Sequence, residues 1–208
     1  VDHKAVFRMA AEHYGRISTQ ELPARRVSAE PEQLGPRETV VKGPAELPYL
    51  ALAWHVPALR NPASDRDPYA LQMLAAVLDG YDGARLSRRL VRDARLAVSA
   101  GASYDGSGRG PSLFYLDGVP APGKTVAELE GALRAELQRI RDDGVSEAEL
   151  ARVKAQAVAS RVYKRDSLMG QAMEIGYLES AGLSWRDEDR LLEGLRAVTA
   201  DEVQAVAK

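Results

Sequence analysis

The chain has 208 residues, a net charge of -2 at pH 7 and no cysteine, with 45% hydrophobic and 28% charged residues. This is an ordinary globular balance with enough length for one large domain or two small ones. It excludes disulfides, thiolate catalysis and cysteine-ligated metals, leaves no electrostatic footprint for nucleic acid, and contains no apolar run near the roughly 20 residues that span a bilayer. Because it starts at Val1 rather than Met and stops inside a helical run, DEVQAVAK, it reads as a piece of a longer protein with no signal peptide of its own.

In chain order, residues 1–15 (VDHKAVFRMAAEHYG) form a short amphipathic pattern closed by Gly15. Residues 16–38 carry prolines and charges without a period, which is linker behaviour. TVVKG and YLALAWHV have strand composition and are separated by the turn signal GPAELP. A helix is predicted from Asp65 to Asp79, with Pro68 in its first turn, where a missing N–H costs little. GARLSRRLVRD gives a second, short helix with four basic residues. LAVSAGASYDG and SLFYLDG are β-rich runs joined by SGRGP, an antiparallel hairpin.

The remainder is helical, with three capping boxes: Thr125 with Glu128, Ser146 with Glu149, and Thr199 with Glu202. Helices are predicted from Ser146 to about Arg165, from Asp166 to about Ala181, and as a pair between Trp185 and Lys208. Strands, helices, strands, then helices predict an α+β two-layer sandwich, a largely antiparallel sheet with helices on one face.

Two motifs invite a chemical reading. GVPAPGKT, Gly118 to Thr125, fits the phosphate-binding pattern G-x-x-x-x-G-K-[ST] between a strand-like and a helix-like run. Such a loop works through successive backbone N–H groups, and Pro120 and Pro122 have none. The preceding strand also belongs to an antiparallel hairpin, whereas the motif serves parallel βαβ sheets. A stiff Pro-Gly connection with Thr125 as helix cap is the better reading, and nucleotide binding is the weakest of three functional hypotheses. MAAEH, Met9 to His13, falls one residue short of the zinc-peptidase pattern H-x-x-E-H. Met9 supplies only a neutral thioether, and His3, His13 and His55 have no ligand spacing, so no metal site and no cofactor is expected in this segment.

The most distinctive stretch is LDGYDGARLSRRLVRDARLAVSAGASYDG, Leu78 to Gly106. It resembles the non-catalytic C-terminal domain of the pitrilysin/insulinase-like (processing-peptidase-like) zinc peptidases. The residues that carry the likeness are Gly80, Gly83, Arg85, Leu86, Leu90, Arg92, Leu96, Ala97 and Ser99. LPYLALAWHVP is similar to that domain's opening strand, and DGVSEAELARVKAQAVAS to its long helix. VDHKAVFRMAAEHYG with LPAR is similar to the last helix and linker of the preceding domain. The resemblance implies residues 1–36 as helix and linker from a preceding domain and 37–208 as the α+β domain proper.

It further implies a substrate-enclosing half that is inactive alone. Its partner would be a zinc-bearing catalytic domain or homologous subunit that closes with it around an unfolded peptide. In such pairs this half contributes an arginine that binds substrate carbonyls and a tyrosine that stabilises the oxyanion. The arginine maps to Arg92; the tyrosine position holds Val98, with Tyr104 several residues too late. That substitution keeps open a catalytically inert, structural or assembly role for the same fold. The resemblance favours a bacterial periplasm or envelope location over the cytoplasm.

Overall fold

A computed structural model describes residues 2–21, 31, 33–164 and 166–208. The chain divides into two compact units, Val1–Val40 and Val41–Lys208. In the first, α1 (His3–Tyr14) is capped by Asp2, whose side chain accepts from the Lys4 N–H, and ends at Gly15. None of its residues is buried. The described part of 16–38 contains neither helix nor strand, and the LPAR stretch lies outside the described residues.

In the second unit, β1 (Leu50–Val56), β2 (Ala97–Tyr104) and β3 (Ser112–Pro120) form an antiparallel sheet in the order β1-β3-β2. TVVKG is not a strand: Val40 and Val41 are exposed, and β-propensity without a pairing edge or a covered face does not make a strand. Burial alternates along β1 and β3, as expected for a sheet covered on one face. The covering layer contains α2 (Asp67–Asp79), α3 (Val126–Asp143) and α7 (Ala200–Val206).

Helix α2 is apolar nearly all round, with Met73, Leu74 and Leu78 almost completely buried, which is the pattern of a central helix. It packs on β2 and α7, and on α4 (Glu147–Lys164) and α6 (Glu188–Ala197). Asp65 stays outside it, because its carboxylate accepts from the Arg60 and Asn61 N–H groups. On α3 the spacing of Leu129, Leu133, Glu136 and Ile140 places one stripe against the sheet. Helix α5 (Leu168–Ala181) begins at the Ser167 cap and is followed by a 3-10 turn (Trp185–Asp187). Among the described residues, no helix is long and apolar enough to cross a membrane.

Two glycines test this packing with opposite signs. A Cβ at Gly194 on α6 would lie 2.4 Å from the Tyr69 ring of α2, whereas one at Gly176 on α5 would meet nothing within 4 Å. Gly194→Ala should destabilise by about 1–3 kcal/mol through overpacking, despite its better helix propensity. Gly176→Ala should stabilise by about 0.4–1 kcal/mol. Urea denaturation of the two variants measures both.

Candidate functional site

The stretch from Gly80 to Ser99 leaves α2, winds through a π-helix (Ser87–Asp93) and enters β2. The predicted helix at 83–93 is therefore mostly π-wound; Ala94 N–H reaches the Arg89 carbonyl at 3.0 Å, five residues back. Single π-turns of this kind concentrate at functional sites. Leu86 and Leu90 anchor the segment in the core. Two of its arginines are held by carboxylates on other helices. Arg85 donates to both Glu149 oxygens at 2.9 and 2.7 Å and to the Gly144 carbonyl at 3.2 Å. Arg89 donates to Glu136 at 3.0 Å, and Glu136, wholly buried, also takes Arg139.

Burial works against ionisation of Glu149 but is outweighed by Arg85, which holds its carboxyl below the usual range. The second predicted capping box, at Ser146, is consequently half made. Ser146 Oγ accepts from the Glu149 N–H at 3.3 Å, while the Glu149 carboxylate goes to Arg85. The boxes at Thr125 and Thr199 are complete.

Arg92 lies on the last turn of the π-helix, exposed, and makes no hydrogen bond or ion pair with the described residues. The segment then passes Arg95 in a left-handed conformation (φ 49°) and enters β2. There Ala97 pairs with Pro120 and Ser99 with Val119, so Val98 is the extra residue of a β-bulge, 52% exposed. Bulges re-aim side chains next to active sites. Tyr104 lies six residues further along the strand, roughly 20 Å from Val98 at about 3.3 Å per residue. Its hydroxyl donates to the Pro57 carbonyl at 2.5 Å, and burial, chiefly, pushes its pKa well up. It cannot stand in for a phenol at Val98.

The two sequence motifs resolve as structure. In Gly118–Thr125 three backbone donors are spent: Ala121 N–H on the Leu96 carbonyl, Lys124 N–H on Ala121, and Thr125 N–H on the Glu128 carboxylate, all at 2.8–2.9 Å, while Pro120 and Pro122 have none. Lys124 itself faces Glu128 at 3.7 Å. No cradle of free N–H groups remains for a phosphate. The described residues offer zinc no better fit. Met9 and His13 are exposed on α1, and among the described residues no three His, Cys, Asp or Glu side chains cluster as ligands.

The face of the sheet away from the helices carries small and polar side chains. Ala51, Ala53 and His55 of β1 are exposed, as are Tyr115 of β3 and Ser99 and Ser103 of β2. At the β2 edge, Asp79 accepts from the Ala102 N–H, so the end of α2 covers part of that free edge. Gly101 leaves a gap there: an added Cβ would sit 3.0 Å from Asp117 Oδ1 and 3.4 Å from Asp79 Oδ2. Burial, and then the Asp117 charge, raise the Asp79 pKa above its ordinary value, against the opposing pull of the Ala102 N–H.

A carboxyl raised in this way costs stability once ionised. The cost is absent below the ordinary carboxylate value of 3.8 and grows as pH rises through the elevated value. Asp79→Asn keeps an acceptor for Ala102 and removes the charge. It should raise Tm by about 1–2 °C at pH 7, after allowance for solvent screening, and leave it unchanged near pH 3; thermal melts across that range measure it.

Solved structures share this fold. A protease from Helicobacter pylori superposes with a TM-score of 0.84 at 22% identity, over 100% of this chain and 49% of that one. The inactive peptidase domain of a protein assigned as a zinc protease, from Bordetella parapertussis, gives 0.67 at 20%, over 80% and 86%. A protein predicted to be an insulinase family protease, from Yersinia pestis, gives 0.65 at 16%, over 100% and 46%. The chain thus spans about half the length of the Helicobacter and Yersinia proteins. No curated protein matches the sequence at a significant level. Residues 1–157 match the family described as the peptidase M16 inactive domain, which meets the expectation drawn from residues 78–106. The chain belongs to that family.

Proposed function

We propose that this chain is the substrate-enclosing, non-catalytic half of a zinc-dependent metallopeptidase. Its bare sheet face forms one wall of a chamber for an unfolded peptide. The observation that carries the reading is Arg92, exposed and unpartnered among the described residues on the last turn of a π-helix, at the rim where β2 begins. A guanidinium there can donate to backbone carbonyls of an extended peptide. The low, polar profile of Ala51, Ala53, Ser99, Gly101 and Ser103 leaves room for such a chain against the sheet. Zinc and the water-activating glutamate belong to the partner half, fused or separate, and no donor set for the ion clusters among the described residues of this chain. A bacterial envelope location accompanies this reading.

One observation favours a second reading, an inert structural or assembly subunit. Val98 presents an apolar, half-exposed side chain where an oxyanion-stabilising phenol would stand.

The decisive experiment joins this chain to a half bearing H-x-x-E-H and measures hydrolysis of an unstructured peptide with zinc present. The chain alone should be inactive and the joined halves active. Arg92→Ala should lower kcat/KM about ten- to a hundredfold, the loss of one charge-assisted hydrogen bond worth roughly 1.5–3 kcal/mol. Val98→Tyr should raise kcat. If the joined halves stay inactive, or turn over peptide equally well with Arg92→Ala, the chamber reading gives way to the structural one.

A further inference from the structure

Away from the sheet, the C-terminal half of α4, α5 and the start of α6 enclose a cleft. One lobe, of about 310 Å³, is lined by Arg161, Lys164, Glu174, Ile175, Leu178 and Trp185, among others. A second lobe, of about 250 Å³, continues past Arg161, Lys164 and Glu174 to Tyr69 and Tyr177. The larger lobe has the size at which small-ligand sites begin.

Its chemistry has two parts. Leu178 is buried at its base, and Ile175 and Trp185 stand half-exposed beside it. Opposite, Arg161 and Lys164 lie three residues apart on one face of α4 and share the single carboxylate of Glu174. The sharing is loose: 3.9 Å for Arg161 and 3.7 Å for Lys164, against 2.7 Å for the closed pair of Arg85 with Glu149. The triad itself holds one positive charge in excess beside an apolar base, and a second carboxylate, Glu188, also lines the lobe.

We propose that the cleft binds the carboxylate end of a short apolar peptide. The carboxylate sits between Arg161 and Lys164, and the last side chain rests on Ile175, Leu178 and Trp185. Glu174 accepts from a backbone N–H of the peptide. That contact separates a peptide from a fatty acid, which has no N–H to offer, and the apolar base disfavours inorganic phosphate. The proposal stands apart from the chamber reading: it needs only this chain, whereas the chamber reading is tested on the joined halves.

The 208-residue chain is titrated with N-acetyl-Leu-Leu as the free acid and as the C-terminal amide, followed by calorimetry and by Trp185 fluorescence. Trp185→Phe serves to assign the optical signal. The free acid should saturate the site and bind at least tenfold tighter than the amide, with affinity falling as salt rises. Arg161→Gln and Lys164→Gln should each weaken the acid about tenfold and the amide hardly at all. Octanoate and inorganic phosphate should bind more weakly than the acid. The proposal is overturned if acid and amide bind alike, if the acid does not saturate by ~10 mM, or if octanoate or phosphate binds as well. The acid–amide comparison needs no variant, so it decides the matter even if a substitution disturbs folding.

Discussion

The arrangement of the Arg92 region depends on two carboxylates that leave water. Glu136 is wholly buried and Glu149 largely so, and each is met by an arginine of the segment running into and through the π-helix. Breaking such a pair costs more than replacing it, because the surviving charge stays buried without compensation. Arg85 and Arg89 are therefore tied to α4 and α3, while Leu86 and Leu90 are sunk in the core between those helices and the sheet. With four side chains fixed, the outward direction of Arg92 and the entry into β2 follow. A second clamp works the same way at the other end of α2, where Arg66 takes both oxygens of Glu202 and the Ala197 carbonyl. Glu202 also completes the Thr199 capping box, so one carboxylate closes α7 and ties it to α2.

The layer order was legible in the sequence because it rests on local signals. The complete capping boxes at Thr125 and Thr199 satisfy orphan N–H groups with side chains three residues away. The β2–β3 hairpin likewise needs only its own alternation and a Gly-rich connection. Non-local competition was not legible. Glu149 forms a capping box on paper, yet Arg85, sixty-four positions away, takes its carboxylate. TVVKG has strand composition, but composition does not supply an edge to pair with. The π-winding leaves no trace in a helical period. Glu136 did carry a usable signal: it occupies a core position on the stripe of Leu129, Leu133 and Ile140, where a charge requires a cation.

For the candidate site, Arg92 and Val98 were named from the resemblance to a family, and the structure gives both a physical setting. Arg92 stays exposed while Arg85 and Arg89 of the same segment are claimed by carboxylates, and Val98 is the unpaired residue of a bulge. The phosphate-loop string shows the converse. Its letters fit, but three of its donors are consumed by a strand end, a turn and a cap and two more positions are prolines, so a motif is informative only when its polar groups remain available.

The strand order also bears on how the chain reaches this state. β2 and β3 are neighbours in sequence and can form a hairpin by themselves, but β1 pairs only with β3, from which α2, the π-helix and β2 all separate it. During synthesis β1 must emerge and wait, with Leu50, Leu52, Trp54 and Val56 uncovered, until the hairpin has been made. Its closure carries the largest loop entropy in the sheet and is the step most open to wrong partners. The apolar helix α2, synthesised directly after β1, is the nearest surface that can shelter those residues in the interval.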